Sequence, residues 1–374
     1  MGHRQPARVL QVLMCDGVGG TEAMVTTLVE RMDPAEVASQ VVTLSGHGPV
    51  AERLGRAGVP MRSLGRDGGL PTAARRLAGV VARGNYDVVN AYGFKATAAA
   101  RLATRALDRR ARFVCGVRGL HVTETERIDT PKARFTLTME RLGSSLVDIY
   151  DANSTGALDL LERAGVPRRK LRYIPNGLDL ADWPQVELGD PAEPVVLCVA
   201  RFVPRKRQID LVRAAERLAE RSVSFRLVFA GDGPTLEEVR AVAAAGAAAD
   251  RIEFLGLLDH DRVRDQLAAA DVVSLPATWE GMANGVMEAM ACGLPLVGTD
   301  VNGIADLVVE GETGHLVAPE TPSALAAALE RLLVDAGLRR QMGRAGRERV
   351  ERHFTVDAMV GAKTALYREL QEAG

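Results

Sequence analysis

Short, β-branched apolar runs alternate with longer segments of helically spaced apolar residues along nearly the whole chain. Residues 8–14, 39–44, 59–64, 86–91 and 112–117 read as buried strands, with helices over 21–32, 49–57, 72–83 and 95–106 between them. A helix over about 131–145 leads into a short strand in DIYDANS. Beyond 194 the alternation resumes, with strands at 194–200, 224–231, 251–256, 271–276 and 294–299. Helices are expected over 206–221, 234–246, 260–270 and 284–292, then over 322–335, 337–352 and 355–372. Such βαβ repetition predicts the α/β class, with parallel sheets covered by helices on both faces. The stretch PNGLDLADWPQVELGDPAEP breaks the pattern with four prolines, acid and turn residues. A linker at 178–193 is therefore expected between a Rossmann-like domain at 1–177 and a second at 194–354. The last helix, 355–374, is expected to pack back on the first domain. In doubly wound folds ligands bind at the carboxyl ends of the strands, and here also in the cleft between domains.

Composition trims the alternatives. The chain has 374 residues, enough for two domains, and a formal net charge of −1, which argues against a dedicated nucleic-acid binder. No apolar run is long enough to span a membrane, and the N-terminal apolar stretch is too short for a secretory signal, so a cytoplasmic protein is expected. Cys15, Cys115, Cys198 and Cys292 are scattered through apolar runs, as small buried hydrophobes rather than a disulfide or zinc framework. Only five of the 47 basic residues are lysines, so a lysine inside a motif stands out.

The densest chemistry lies in WEGMANGVMEAMACGLPLVGTD, residues 279–300. It follows the strand DVVSLP, which places Glu280 to Gly285 in a loop at that strand's carboxyl end. Asn284 is a good N-cap, and Gly293 with Pro295 ends the helix it would start. Free backbone amides at such a start suit a phosphate. Glu288, one turn on, comes within reach of a sugar or ribose hydroxyl, so Glu280 and Glu288 bracket one anion site. A capped helix with a solvated Glu would leave Glu288 unexplained inside VMEAMACG. Arg201 and Lys206 follow the first strand of the second domain, where guanidinium and ammonium suit a diphosphate. Arg205 and Arg207 beside them read as solvated charges. Gly19 and Gly20 in CDGVGGTE, after the first strand, allow close backbone approach to a ligand, and a tight turn without ligand fits equally. Gly231 in FAGDGP is a similar turn. Asp259-His260-Asp261 spells D-x-D but precedes a helix, where Asp serves as cap and first-turn acid.

Taken together, PNGLD at 175–179, the R-x4-K of Arg201 and Lys206, FAGDGP at 229–234 and EGMANGVMEAMACGLPLV at 280–297 resemble the motifs of the large retaining glycosyltransferase family four. Their order and spacing match across nearly the whole chain. The resemblance implies the GT-B fold, two doubly wound Rossmann-like domains facing a central cleft. It implies a hexosyltransferase that moves a sugar from a nucleoside-diphosphate sugar, UDP-linked by preference, to a hydroxyl acceptor with retention of configuration. Donor binding would fall to the C-terminal domain and acceptor binding to the N-terminal one, with no metal and no cofactor beyond the donor as co-substrate. Arg201 and Lys206 would hold the diphosphate, Glu280 the donor sugar and Glu288 the ribose. Amides around Met282, Ala283, Asn284 and Gly285 would face the sugar and phosphates, and Gly20 would cap the site. The family's histidine motif after the fourth strand is replaced by NAYG (90–93), and His121 in VRGLH is the candidate for a histidine near the reacting sugar. Alternatives are a nucleotide-sugar epimerase of the same fold and a non-catalytic nucleotide-sugar-binding partner of another transferase.

Charge is unevenly spread. Residues 66–118 hold eleven Arg or Lys against three Asp, a local net of +8. That stretch suits an anionic acceptor, such as a lipid diphosphate, or peripheral contact with an anionic membrane at the inner face, consistent with a role in cell-envelope polysaccharide or glycolipid synthesis. Arginine as the default polar residue of solvated helices fits it equally.

Overall fold

Seven parallel strands form the first sheet: β1 (Ala7–Leu13), β2 (Val37–Thr43), β3 (Met61–Ser63), β4 (Val88–Tyr92), β5 (Arg112–Val117), β6 (Ile149–Ala152) and β7 (Leu171–Tyr173), in the order β3-β2-β1-β4-β5-β6-β7. The computed structural model describes residues 5–14, 20–46, 48–65, 69–107, 111–118 and 131–373. Six helices connect the strands: α1 (Gly20–Arg31), α2 (Gly48–Arg56), α3 (Gly69–Gly84), α4 (Phe94–Leu107), α5 (Pro131–Gly143) and α6 (Thr155–Arg163). Val9 in β1 stands opposite Ser39 on one side and Val88 on the other. The chain thus winds outward from β1 and returns beside it at β4, leaving a switch point where the two windings diverge. Strands covered by helices on both faces are largely apolar, and all five residues of β4, Asn90 included, are buried.

A second sheet repeats the plan with β8 (Val195–Val199), β9 (Arg226–Ala230), β10 (Ile252–Phe254), β11 (Val272–Leu275), β12 (Leu296–Thr299) and β13 (Gly314–Val317), in the order β10-β9-β8-β11-β12-β13. Its helices are α7 (Gln208–Glu220), α8 (Leu236–Ala245), α9 (His260–Ala268), α10 (Asn284–Ala291), α11 (Pro322–Val334) and α12 (Ala336–His353). Here the switch point lies between β8 and β11. The last helix, α13 (Val356–Glu372), belongs to the first sheet: the two compact units are Met1–Gly177 with Val356–Gly374, and Leu178–Thr355.

Residues 178–193, expected as a linker, are instead part of the second unit. Trp183 is fully buried in its core, and the Val186 N–H donates to the Cys292 carbonyl at 2.8 Å. Proline and acid content mark the absence of regular structure, not the absence of packing. The sequence pattern also passed over β7, β13 and α6. The two strands have three and four residues, too few to show a period.

α13 packs Met359, Leu366 and Leu370 into the apolar core of the first unit and adds a buried polar network to it. Lys363 is fully buried and pairs with Asp151 of β6, which also pairs with Arg118 at 2.5 Å. Lys363 Nζ donates to Asn90 Oδ1 at 2.9 Å and to the Tyr92 hydroxyl at 3.2 Å, and the Tyr367 hydroxyl donates to Asn90 Oδ1 at 2.7 Å. The segment NAYG, where a histidine motif was missing, therefore supplies two members of this buried network. Burial would raise the Asp151 carboxyl, but the Arg118 and Lys363 cations beside it outweigh that and hold it below its ordinary value. Lys363 shares its one carboxylate with Arg118, and burial pulls its pKa down to about 8.

Candidate active site

Three segments meet at the carboxyl edge of the second sheet, at its switch point: the turn after β8, the loop after β11 and the start of α10. After β8 the chain makes a short 3-10 turn, Pro204–Lys206, and leaves it through Arg207 at φ 52, a left-handed conformation unusual for a non-glycine residue. Arg207 is held there by Asp210, whose carboxylate accepts from its Nε and Nη2, each at 2.8 Å. Asp210 is itself buried. This strut fixes the turn that carries Lys206.

Lys206 Nζ stands 2.5 Å from Glu280 Oε1, and Arg205 Nη1 stands 3.6 Å from the same oxygen. Glu280 is buried, yet Oε1 receives no hydrogen bond of good geometry within the protein; the ammonium approaches it off-angle. A buried carboxylate with an open acceptor position beside a cation is arranged for a hydroxyl. Arg205 also lies over the Trp279 ring, 5.6 Å from its centre, and its carbonyl accepts from the Thr278 N–H at 2.8 Å. So Arg205 and Arg207, expected as solvated charges, are both engaged in building this loop. Behind the loop, a Cβ at Gly303 (φ 77) would collide with the Glu280 and Gly281 carbonyls, so only glycine lets residues 299–303 pack against it.

The helix α10 begins at Asn284, but Asn284 is its first helical residue and not its cap. The capping position falls to Ala283, which has no side-chain acceptor. The Gly285 N–H has no acceptor among the described residues, so the start of α10 keeps donor capacity for an anion. Met282 and Ala283 are buried, and their contribution is backbone. Gly285 lies against β8, a Cβ there standing 3.5 Å from the Val199 carbonyl oxygen. Glu288 is half-buried one turn later. Burial without a counter-charge pushes its carboxyl up to about 7.

A cavity of about 410 Å³ opens beside this edge, lined among others by Val199, Arg201, Gly231, Asp232, Leu257 and Val263. Arg201 is exposed and has no carboxylate partner among the described residues. Gly231 is held so close to the preceding turn that a Cβ would overlap the Ala200 carbonyl; Phe202 N–H in turn donates to the Asp232 carbonyl at 2.9 Å. Leu257 is 79% exposed in this wall, an apolar surface left open beside a cation. Neither Leu257 nor Val263 carried a motif. In the sequence they look like ordinary helix-flanking residues.

Lys206 and Glu280 are thus in direct contact, and Arg201 and Gly231 line one cavity. Met282, Ala283, Asn284, Gly285 and Glu288 sit on the adjoining loop and helix. Gly20 opens α1 in the first unit and is exposed. Gly19 and His121 lie outside the described residues. The D-x-D triplet is a helix cap: Asp259 Oδ1 accepts from the Arg262 N–H at 2.8 Å, and Asp261 pairs with Arg264. The first unit has its own carboxyl-edge cavity of about 610 Å³, lined by residues that include Met14, Ser45, Leu70, Phe94 and Lys95. Among its described residues the +8 stretch is not one basic face. Arg101 pairs with Glu140, Arg112 with Asp148 and Arg118 with Asp151, which leaves Arg75, Arg76 and Arg83 of α3 gathered around a groove of their own.

Comparison with known proteins places these features in a family setting. Residues 18–182 match the family described as Glycosyltransferase Family 4, and residues 181–349 match Glycosyl transferases group 1. A GDP-mannose-dependent alpha-(1-6)-phosphatidylinositol monomannoside mannosyltransferase from Mycolicibacterium smegmatis is 30% identical over 305 residues, 77% of this chain and 76% of the relative. Alpha-D-kanosaminyltransferase from Streptomyces kanamyceticus is 30% identical over 177 residues, 47% of this chain and 46% of its own length, so the match spans about half of that relative. Among solved structures, Anabaena HepE in complex with UDP and glucose superposes with a TM-score of 0.81 at 19% identity, covering 97% of this chain and all of the other. At that identity the likeness is one of fold.

Proposed function

The chain belongs to glycosyltransferase family four, with the two-unit α/β architecture of the GT-B fold, and from its second-unit site we propose that it transfers a sugar from a nucleoside-diphosphate sugar to a hydroxyl acceptor with retention of configuration. The observation that carries this reading is the Lys206–Glu280 contact beside the uncapped start of α10. Cleaving the bond between sugar and diphosphate builds negative charge on the departing phosphate. In this reading the Lys206 ammonium, the exposed Arg201 guanidinium and the amide end of α10 stabilise that charge as it develops, so the barrier falls without a strong base. The open Glu280 oxygen accepts a donor sugar hydroxyl, and the acceptor hydroxyl passes its proton to the leaving phosphate on the same face. These protein cations supply the charge neutralisation, so the reading assigns no metal a role. The base occupies the cavity lined by Leu257, and the acceptor enters the 610 Å³ cavity of the first unit, where the reading also places envelope glycolipid or polysaccharide precursors.

The mycobacterial relative is named for GDP-mannose and the fold neighbour was solved with UDP, so both bases belong in a donor panel, with UDP first. Incubation with that panel, following free nucleotide, is expected to show slow donor hydrolysis in one donor class. Reversible sugar isomerisation without nucleotide release would instead identify an epimerase, and binding without turnover a non-catalytic partner. The epimerase is not favoured: it needs carboxylates facing the sugar from the first unit, and 90–93 offers none.

Glu288 makes this reading pH-dependent. A ribose hydroxyl is held best by the carboxylate, which forms as pH rises through about 7. Donor KM is therefore expected to fall between about pH 6 and 8 in the wild type, with kcat little changed, and Glu288→Gln should raise KM and flatten that profile. The empty protein should show the opposite trend in stability. The folded-state pKa lies above the ordinary carboxylate value of 4.5, so the contribution of this group is full at acid pH and is lost as pH rises through about 7; Glu288→Gln removes that slope. A KM profile unchanged in the variant would remove Glu288 from the donor site.

A further inference from the structure

In the first unit, far along the chain from the residues of the donor site, β3 and α3 enclose a groove of about 400 Å³ lined by Arg62, Ser63, Leu64, Arg75, Arg76, Gly79 and Arg83. Among the described residues no acidic side chain lines it. Arg76 donates to the Leu64 carbonyl at 2.6 Å, which fixes one guanidinium on the wall. Arg62, Arg75 and Arg83 have no carboxylate partner among the described residues. Gly79 keeps the floor open: a Cβ there would stand 3.3 Å from the Arg83 guanidinium. Arg53, Arg101, Arg112, Arg118 and Arg368 of the same unit each pair with a carboxylate, whereas here three guanidinium groups without such a pair share one concavity.

Four like charges around one concavity repel one another, and no described residue of the groove supplies a counter-charge. A bound anion would relieve that repulsion. Planar guanidinium forks match the oxygens of a phosphate two at a time, and several converging forks favour a group that carries more than one charge or several accessible oxygens. The groove is far larger than a lone halide needs. We propose that it is a binding site for a phosphate-bearing ligand, distinct from the donor site and independent of the identity of the donor. The phosphate can come from the headgroup of an anionic lipid or from a soluble phosphoryl compound, and the two sources are separable by experiment.

The test uses the full chain at about 0.1 M salt, where surface charges still act over roughly 10 Å. One arm measures co-sedimentation with phosphatidylglycerol vesicles, with phosphatidylcholine vesicles as control. The other titrates inorganic pyrophosphate in an Arg201→Gln, Lys206→Ala background, which weakens the donor site, and scores only the binding that the groove substitutions remove. Each arm is run with and without the triple substitution Arg62→Gln, Arg75→Gln and Arg83→Gln, and with Arg213→Gln, Arg217→Gln and Arg340→Gln in the second unit as a charge-matched control. Each arginine at an anionic surface is worth roughly a factor of five, so the triple variant should bind about a hundredfold more weakly and the control variant as the parent does. Vesicle binding lost in the triple variant without pyrophosphate binding identifies a lipid headgroup; pyrophosphate binding lost in the triple variant identifies a soluble phosphate. Binding of neither probe, or equal binding by the triple variant, overturns the proposal. The substituted side chains are exposed and unpaired, so donor hydrolysis without vesicles should be unchanged in the triple variant, which separates failure of this site from failure of the transferase reading.

Discussion

Replacing Lys206 with alanine is expected to lower nucleotide release from the best donor by roughly two to three orders of magnitude, the usual cost of removing one preorganised charge stabiliser. Lys206 is held by a turn that the Arg207–Asp210 strut fixes before any ligand arrives. Its ammonium therefore needs little reorganisation as charge develops on the phosphate, and that is what makes its loss costly. Glu280→Ala should lose activity to a similar degree for a different reason, since the open Oε1 position vanishes and the Lys206 ammonium loses its partner. Thermal unfolding of both variants keeps loss of fold apart from loss of chemistry. Arg213→Gln, on α7 away from the turn, should leave turnover unchanged. If Lys206→Ala released nucleotide at the wild-type rate, the charge-stabilisation mechanism would fail.

Asp151→Asn should be the most destabilising single change in the first unit, by about 3–5 kcal/mol, because it leaves the buried Arg118 and Lys363 without a carboxylate. Lys363→Met should cost much less. It removes the ammonium, and Asp151 keeps its 2.5 Å pair with Arg118. Denaturant titration of the two variants side by side reads the ordering, and a Lys363→Met protein less stable than Asp151→Asn would contradict this account of the network. The pH dependence has a definite sign. With a folded-state pKa near 8 against the ordinary lysine value of 10.5, the unfolded chain binds more protons in that window. Lys363 therefore makes stability rise from about pH 8 to 10.5, and Lys363→Met should remove that rise.

The contrast between these two sites shows what one sequence can reveal. The α/β class was legible because strands covered on both faces are built largely of apolar residues, as in VVLCV of β8. The E-x7-E segment was legible because its acids, glycines and helix start are neighbours in sequence, and the structure sets them on one loop and one helix. Lys363 and Asp151 are 212 residues apart, and nothing local distinguishes either from a solvated charge. Arg205 and Arg207 were misread for a related reason. Their engagement depends on a 3-10 turn and a left-handed residue that neither periodicity nor composition encodes. The same limit applies to charge: the sum over 66–118 counted cations correctly, but only folding decides that Arg101, Arg112 and Arg118 are paired while Arg75, Arg76 and Arg83 join Arg62 in a groove.

The central claim is that the edge between β8 and β11 grips a nucleoside diphosphate through Arg201, Lys206 and the start of α10. Calorimetric titration of UDP and GDP into the wild-type protein and into Lys206→Ala tests it most directly. One nucleotide should bind the wild type at a single site and bind the variant at least about tenfold more weakly, as expected when a charge-assisted contact worth roughly 1.5–3 kcal/mol is lost. Equal affinity for both proteins, or no binding of either nucleotide to the wild type, would contradict it.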